Sequence, residues 1–294
     1  MENIRIGTCV NGPDAIKLIP QILPHGFESF DITFWKTTGG IDLTDLAKRV
    51  RESIAKSGAI ISCITVFGNP LTGEGDDSDS LASWERLIDN AHLFGTDLVT
   101  GFTGRMPGPI PDSMPRFKEV FSELAKRAAD RGVRLAFENC SMGGNWHYGG
   151  FNIAHCPTAW EMMFDAVPGG HLGLQWEPCH QLLNFIDPIP QLRKWAGRIF
   201  NVHGKDATID WDVIREYGRG GHIQYAWDRT PGFGDSDWTK IISILRKSGY
   251  TGSIDIEGYH DPVYQGDLEY TGQVHGLNYL KNCRGGDYVP NPVL

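Results

Sequence analysis

Short runs rich in Val, Ile, Leu and Phe recur along the whole chain, at 4–10 (IRIGTCV), 31–37 (DITFWKT), 59–67 (AIISCITVF) and 97–102 (DLVTGF). Four more follow at 134–140 (RLAFENC), 172–178 (LGLQWEP), 198–206 (RIFNVHGKD) and 252–260 (GSIDIEGYH). Apolar runs of this length fit strands covered on both faces. Between them, apolar residues return at a spacing of three and four, the period of a helix with one buried stripe. The segments 43–58, 79–95, 112–132, 156–167 and 237–249 read this way. Asp79 and Asp112 stand in N-capping positions, Gly58, Gly95 and Gly132 in C-capping ones, and the pair Pro157-Thr158 suits a helix start. Eight strands alternating with helices predict an α/β fold, and the count favours a closed (β/α)8 TIM barrel over an open sheet.

Residues 68–80, 141–156 and 207–237 are long and rich in Gly, Asp, Asn and Ser. They follow the third, fifth and seventh strands, which places them at the C-terminal rim, where barrels of this kind build their sites. The chain of 294 residues reads as a single barrel domain over 1–294. Its last part, 261–294, forms an extension with one further helix near 266–282 and an irregular end.

Composition narrows the class. A formal net charge of −9 opposes binding to a nucleic-acid backbone. No apolar stretch approaches the roughly 20 residues needed to span a bilayer. The opening MENIRIGTCV enters a strand at once and shows no signal peptide. The six cysteines are scattered without CxxC spacing, as buried apolar residues often are, which points to a cytoplasmic protein.

Four strand ends carry side chains able to bind a metal. Glu138 ends RLAFE, Glu177 ends LGLQWE, His203 lies in FNVHG and Glu257 ends SIDIE. A charge at the end of a buried strand needs a partner, and consecutive barrel strands bring their ends to one rim. Three carboxylates and one imidazole make an oxygen-rich site for one divalent ion, with Mn favoured, Mg or Co suitable and Zn less so. Separate rim salt bridges are the structural alternative for each residue taken singly.

The segments FEN (137–139), WEPCH (176–180), HGKD (203–206), RTPGFGDSDW (229–238) and DIEGYH (255–260), in this order, resemble the xylose-isomerase-like barrel superfamily. That group includes sugar epimerases, ketose isomerases, inosose dehydratases and abasic-site endonucleases. The resemblance implies a metal set of Glu138, Glu177, His203 and Glu257, with Glu138 and Glu257 as base and acid. It also implies that His180 faces substrate oxygens. Position 177 departs from the family's usual Asp, which extends the reach of the carboxylate by about one bond length. The second Glu that epimerases carry beyond the first metal Glu is missing. The loop CSMGGNWHYGGFNIAH supplies Trp146, His147, Tyr148 and His155 instead.

The expected function is therefore a metal-dependent sugar isomerase or epimerase that abstracts a proton beside a metal-bound carbonyl. His180 or His147 can take over one proton-transfer role. Trp146, His147, Trp176, Lys205 and Arg229 are the candidate substrate contacts, although either basic residue can equally be salt-bridged structure. A lyase or hydratase acting on 3-keto-glycosides or inososes is the nearest alternative, with Trp146 and Trp176 against an aglycone. An abasic-site endonuclease is disfavoured, because the loops after the third and fourth strands lack His and His92 lies in a helical segment. A non-catalytic sugar-binding barrel is the remaining rival. The expected partner is a small sugar or sugar derivative, with no nucleic acid or membrane, and a homo-oligomer is compatible.

Overall fold

The computed structural model describes residues 3–286 and 289–292. Its strands are β1 (Arg5–Asn11), β2 (Ser29–Trp35), β3 (Ile60–Phe67), β4 (Leu98–Gly101), β5 (Arg134–Glu138), β6 (Leu172–Trp176), β7 (Ile199–Gly204), β8 (Asp206–Ile209), β9 (Ala226–Arg229) and β10 (Ser253–Ile256). Eight of them close a parallel barrel in the order β1-β10-β7-β6-β5-β4-β3-β2. This is the expected (β/α)8 architecture. The predicted seventh strand splits, because β7 stops at Gly204 and Asp206 opens β8, which pairs antiparallel with β9. Part of the segment expected as the loop 207–237 is thus a ribbon enclosing the helix Trp211–Tyr217.

The helix Leu43–Ile54 is capped by Asp42, whose side chain accepts from the N–H groups of Thr44 and Asp45. It ends before the predicted Gly58. Ser80–Phe94 ends on Gly95 as expected, with its φ of 77° in the left-handed region. Asp79, however, makes no capping bond and pairs with Arg86 instead. The next helix starts at Ile110 behind Pro109, so Asp112 sits inside the first turn, facing the positive end of the helix dipole. Pro157–Ala166 and Trp238–Lys247 fall where the pattern put them. The final helix, Glu269–Arg284, packs against β1, β10 and Trp238–Lys247. Arg284 ties it to the barrel by donating to the Ile4 carbonyl at 2.7 Å and to Glu28 at 2.5 Å. The irregular end expected after it lies partly outside the described residues. Among the described residues no helix is long and apolar enough to cross a membrane.

The two faces of the barrel strands differ in chemistry. Outward side chains meet the helices in an aromatic layer, with Trp84, Phe117 and Phe121 around Phe137. Inside, Cys63, Leu98 and Ala136 form only a small apolar plug. Above and beside it run polar side chains, all buried: Ser29, Asp31, Thr65, Gln175, Asn201, His203 and Asp255. Gly7 makes room for this interior, since a Cβ there would lie 2.1 Å from Ser29 Oγ and 2.4 Å from Asp255 Oδ1.

Candidate metal centre at the barrel mouth

The period of two along a strand selects the inward residues. Asn201 and His203 share the inner face of β7, while Gln175 and Asp255 precede Glu177 and Glu257 by two positions on the inner faces of β6 and β10. Glu138 is the last residue of β5. Glu138, Glu177, His203 and Glu257, all buried, thereby converge, with one potential ligand atom from each lying within 4.8 Å of the others.

The hydrogen bonding of this group is incomplete in a specific way. Glu138 Oε2, both carboxylate oxygens of Glu177, His203 Nδ1 and Glu257 Oε2 are buried without a hydrogen-bond partner. His203 Nδ1 lies 3.4 Å from Glu138 Oε1 and 3.2 Å from Glu257 Oε2, close in distance but misaligned for hydrogen bonding. Buried polar atoms are normally satisfied, and unpaired ones mark an unfilled requirement. A divalent cation would meet this one, because it would accept lone pairs from the orphaned carboxylate oxygens and the imidazole nitrogen and balance the clustered negative charge. The residues present fit such an ion.

Electrostatics in the metal-free cluster point the same way. Burial raises the pKa of Glu138 to about 7, reinforced by Glu177 and Glu257 and opposed by His203. Burial acts on Glu257 too, but Lys205 and His203 outweigh it and hold its pKa below the usual carboxylate range. Burial works against a charge on His203, yet Cys9, Asp31 and Glu138 hold its pKa well above the ordinary imidazole value.

The remaining candidates separate sharply. Lys205 is buried, with its Nζ 2.8 Å from Glu257 Oε1 and 3.9 Å from Asp228 Oδ1. His180, on the short helix Cys179–Leu183, places Nε2 3.0 Å from Glu177 Oε1. Both therefore border the cluster. Arg229 instead points Nε at Asp261 Oδ2, 3.3 Å away, which is the salt-bridged alternative. Trp176, the last residue of β6, turns away from the barrel interior. It faces outward from β6, is fully buried in the core, and its Nε1 lies 3.4 Å from Gln191 Oε1. One residue from Glu177, it occupies the opposite face of the strand, away from the cluster. His147 is exposed, with its backbone N–H donating to Asn145 Oδ1 at 2.9 Å. Trp146 is half-buried and packs against the core. Its carbonyl accepts from the Ile110 N–H and from the buried Arg105, which also donates to the carbonyls of Asn145 and Gly108.

Several residues that hold the site together were not singled out from the sequence. Asn139 clamps the peptide of Glu177, donating to its carbonyl at 3.0 Å and accepting from its N–H at 2.7 Å. Asn152 folds the 141–156 loop back and donates to the carbonyls of Glu138 and Cys140. Asp206 accepts from the Ser236 N–H and from Trp238 Nε1, so the last residue of HGKD anchors the PGFGDSDW segment. Asp228 reaches the rim from β9, across from Ala207, and accepts from the Cys179 thiol at 3.3 Å. Its side chain keeps 27% exposure while Lys205 beside it keeps 4%. A ribbon that brings Asp228 back to the mouth leaves no local signal in the sequence.

This barrel, with inward glutamates and a histidine at the ends of consecutive strands, defines the class: the chain belongs to the xylose isomerase-like TIM barrel family, which matches residues 21–283. It is 29% identical over 171 residues to the inosose dehydratase of Clostridium tetani, a match covering 57% of each chain. It is 30% identical over 166 residues to the rhizopine catabolism protein MocC of Rhizobium meliloti, covering 54% of this chain and 44% of that one. The chain thus spans about half the length of the curated relatives it matches. In three dimensions it resembles 3-keto-D-glucoside 4-epimerase from E. coli, with a TM-score of 0.70 at 15% identity, covering 95% of this chain and 100% of that one.

Proposed function

We propose that this protein is a divalent-metal-dependent sugar isomerase or epimerase that moves a proton on the carbon beside a carbonyl. The observation that carries the reading is the set of orphaned ligand atoms on Glu138, Glu177, His203 and Glu257. These four residues would hold the ion, Mn by preference for an oxygen-rich set with one imidazole. Such an ion, when bound, polarises a carbonyl oxygen and stabilises the negative charge that develops there. Glu138 and Glu257 approach His203 Nδ1 from β5 and from the end of β10. One takes the proton from the carbon; return of a proton by the other to the opposite face inverts that carbon, whereas delivery to the former carbonyl carbon, with the neighbouring hydroxyl proton passing to the former carbonyl oxygen, moves the carbonyl by one position. Lys205 holds Glu257 in place at 2.8 Å, and His180 presents a second proton-carrying group next to Glu177. The substrate in this reading is a small polyhydroxylated ketone, and the cytoplasmic setting expected from the cysteine pattern belongs to it.

Dehydration is the second reading, favoured by the curated relative named inosose dehydratase. It shares the first step: a carboxylate removes the proton beside the carbonyl, and a hydroxyl on the next carbon then leaves as water. The two readings part at the product.

Deuterium incorporation tests both. The Mn-loaded protein is incubated in D2O with ketoses, inososes and 3-keto-glycosides, with Glu257→Gln as the control. Metal-dependent uptake at one carbon, lost in the control, is the expected result. Uptake with loss of water selects dehydration. Absence of exchange and product across all three substrate classes would overturn the proposal.

A further inference from the structure

Deep in the barrel, Asp31 on β2 is buried with His203, and its Oδ2 lies 3.1 Å from His203 Nε2. Sequence gives it no role beyond a strand residue. We infer that Asp31 is a positioning residue for the metal centre: it accepts the Nε2 proton of His203 and so reserves Nδ1 as the ligand atom. This rests on the metal-dependent reading above.

Three features carry the assignment. The first is the division of labour on the imidazole ring. Nε2 has Asp31, whereas Nδ1 is buried, unpartnered and within 3.4 Å of oxygens from Glu138 and Glu257. A neutral imidazole carries one proton, and the nitrogen that keeps it cannot bind a cation. A carboxylate on one nitrogen therefore decides which nitrogen is the ligand, fixes the ring plane and raises the basicity of the other.

The second is how firmly Asp31 itself is held. Thr65 Oγ1 donates to its Oδ1 at 2.6 Å and Gln175 Nε2 donates to its Oδ2 at 3.0 Å. Gln175 Nε2 also contacts Asn201 Oδ1 at 3.1 Å, and Asn201 Nδ2 donates to Asp255 at 2.8 Å. Ser29 and Ser62 donate to Asp255 at 2.5 and 2.8 Å. A polar column thus descends through the barrel, with Asp31 at its upper end. A buried carboxylate is costly unless hydrogen bonds satisfy it, and this column satisfies Asp31 while leaving Oδ2 on His203.

The third is backbone register. The β2–β3 ladder shifts between Phe30 and Asp31, and the β6–β7 ladder shifts between Leu174 and Gln175. Such irregularities re-aim side chains at sites. Here they fall at the two residues that share the hydrogen bond on Oδ2.

The test uses metal alone. Co(II) and Mn(II) affinities of the full chain are measured by competition with a chromogenic chelator, together with the visible spectrum of the Co(II) form. Asp31→Asn, whose amide offers a donor to Nε2 and so favours the wrong tautomer, is expected to weaken binding by about 10–100-fold and to alter the Co(II) spectrum. Thr65→Val, which frees one Asp31 oxygen, gives a smaller loss in the same direction and decides the matter if Asp31→Asn does not fold. Ser62→Ala, at the far end of the column, leaves affinity and spectrum unchanged. Wild-type affinity in folded Asp31→Asn or Thr65→Val overturns the assignment, as does an equal loss in Ser62→Ala. A wild-type chain that holds neither ion overturns the metal-dependent function and this assignment together.

Discussion

The same eight strands present two different environments. Their outward face, with Phe137 and Trp176 among the residues that meet the helices, is apolar and closely packed. Their inward face carries Asp31, Gln175, His203, Asp255 and the three glutamates at the mouth. Adjacent residues in one strand, such as Trp176 and Glu177, thus serve separate ends. The outer face supplies the hydrophobic stabilisation that a barrel of this size requires. The inner face spends stability to gather three buried carboxylates at one point.

This contrast can be broken most forcefully at Glu138. Glu138→Gln should reduce turnover of the substrate identified by deuterium exchange by roughly 10²–10⁴-fold. The metal-free protein should melt no lower than the wild type, because one buried carboxylate has gone. A large fall in its thermal midpoint would show that the inner face is structural. Trp176→Ala is the converse. Its removal should cost about 3–5 kcal/mol of stability, read by urea denaturation, as expected for a fully buried aromatic. KM should not change, whereas a raised KM with intact stability would return Trp176 to the substrate pocket.

His155 sharpens the comparison, since it is buried in the rim loop with Nε2 unpartnered. Burial, aided by the Arg105 charge, lowers its pKa to about 4. The folded pKa lies below the unfolded value near 6.5, so between these limits the unfolded chain binds the extra proton and stability rises with pH. Stability should be complete above about pH 6.5 and should lose about 3 kcal/mol as pH falls to about 4, by the linkage of 1.36 kcal/mol per unit. Denaturation of wild type and His155→Gln at both pH values checks this, with the variant expected to show the shallower dependence.

The smallest expected effect concerns the ion itself. Mn(II) at a hundred times its dissociation constant should stabilise the chain by about 2.7 kcal/mol, and Glu177→Ala should lose most of that gain. A gain that survives in the variant would remove Glu177 from the ligand set.

The barrel and the four converging residues were legible from the chain alone because both depend on local pattern. Apolar runs alternating with amphipathic segments specify strands and helices, and closure places consecutive strand ends on one rim. Charged residues ending apolar runs then identify Glu138, Glu177, His203 and Glu257. Period-two alternation also separates Trp176 from Glu177, although an aromatic beside a motif invites the opposite reading. The tertiary structure alone decided that Arg229 pairs with Asp261, that Asn139 clamps Glu177, that Asp228 returns on a ribbon, and that Asp31 meets His203 across 172 positions of chain. Each of those contacts joins residues from separate elements through register and side-chain direction, and neither quantity is encoded in the spacing within one segment.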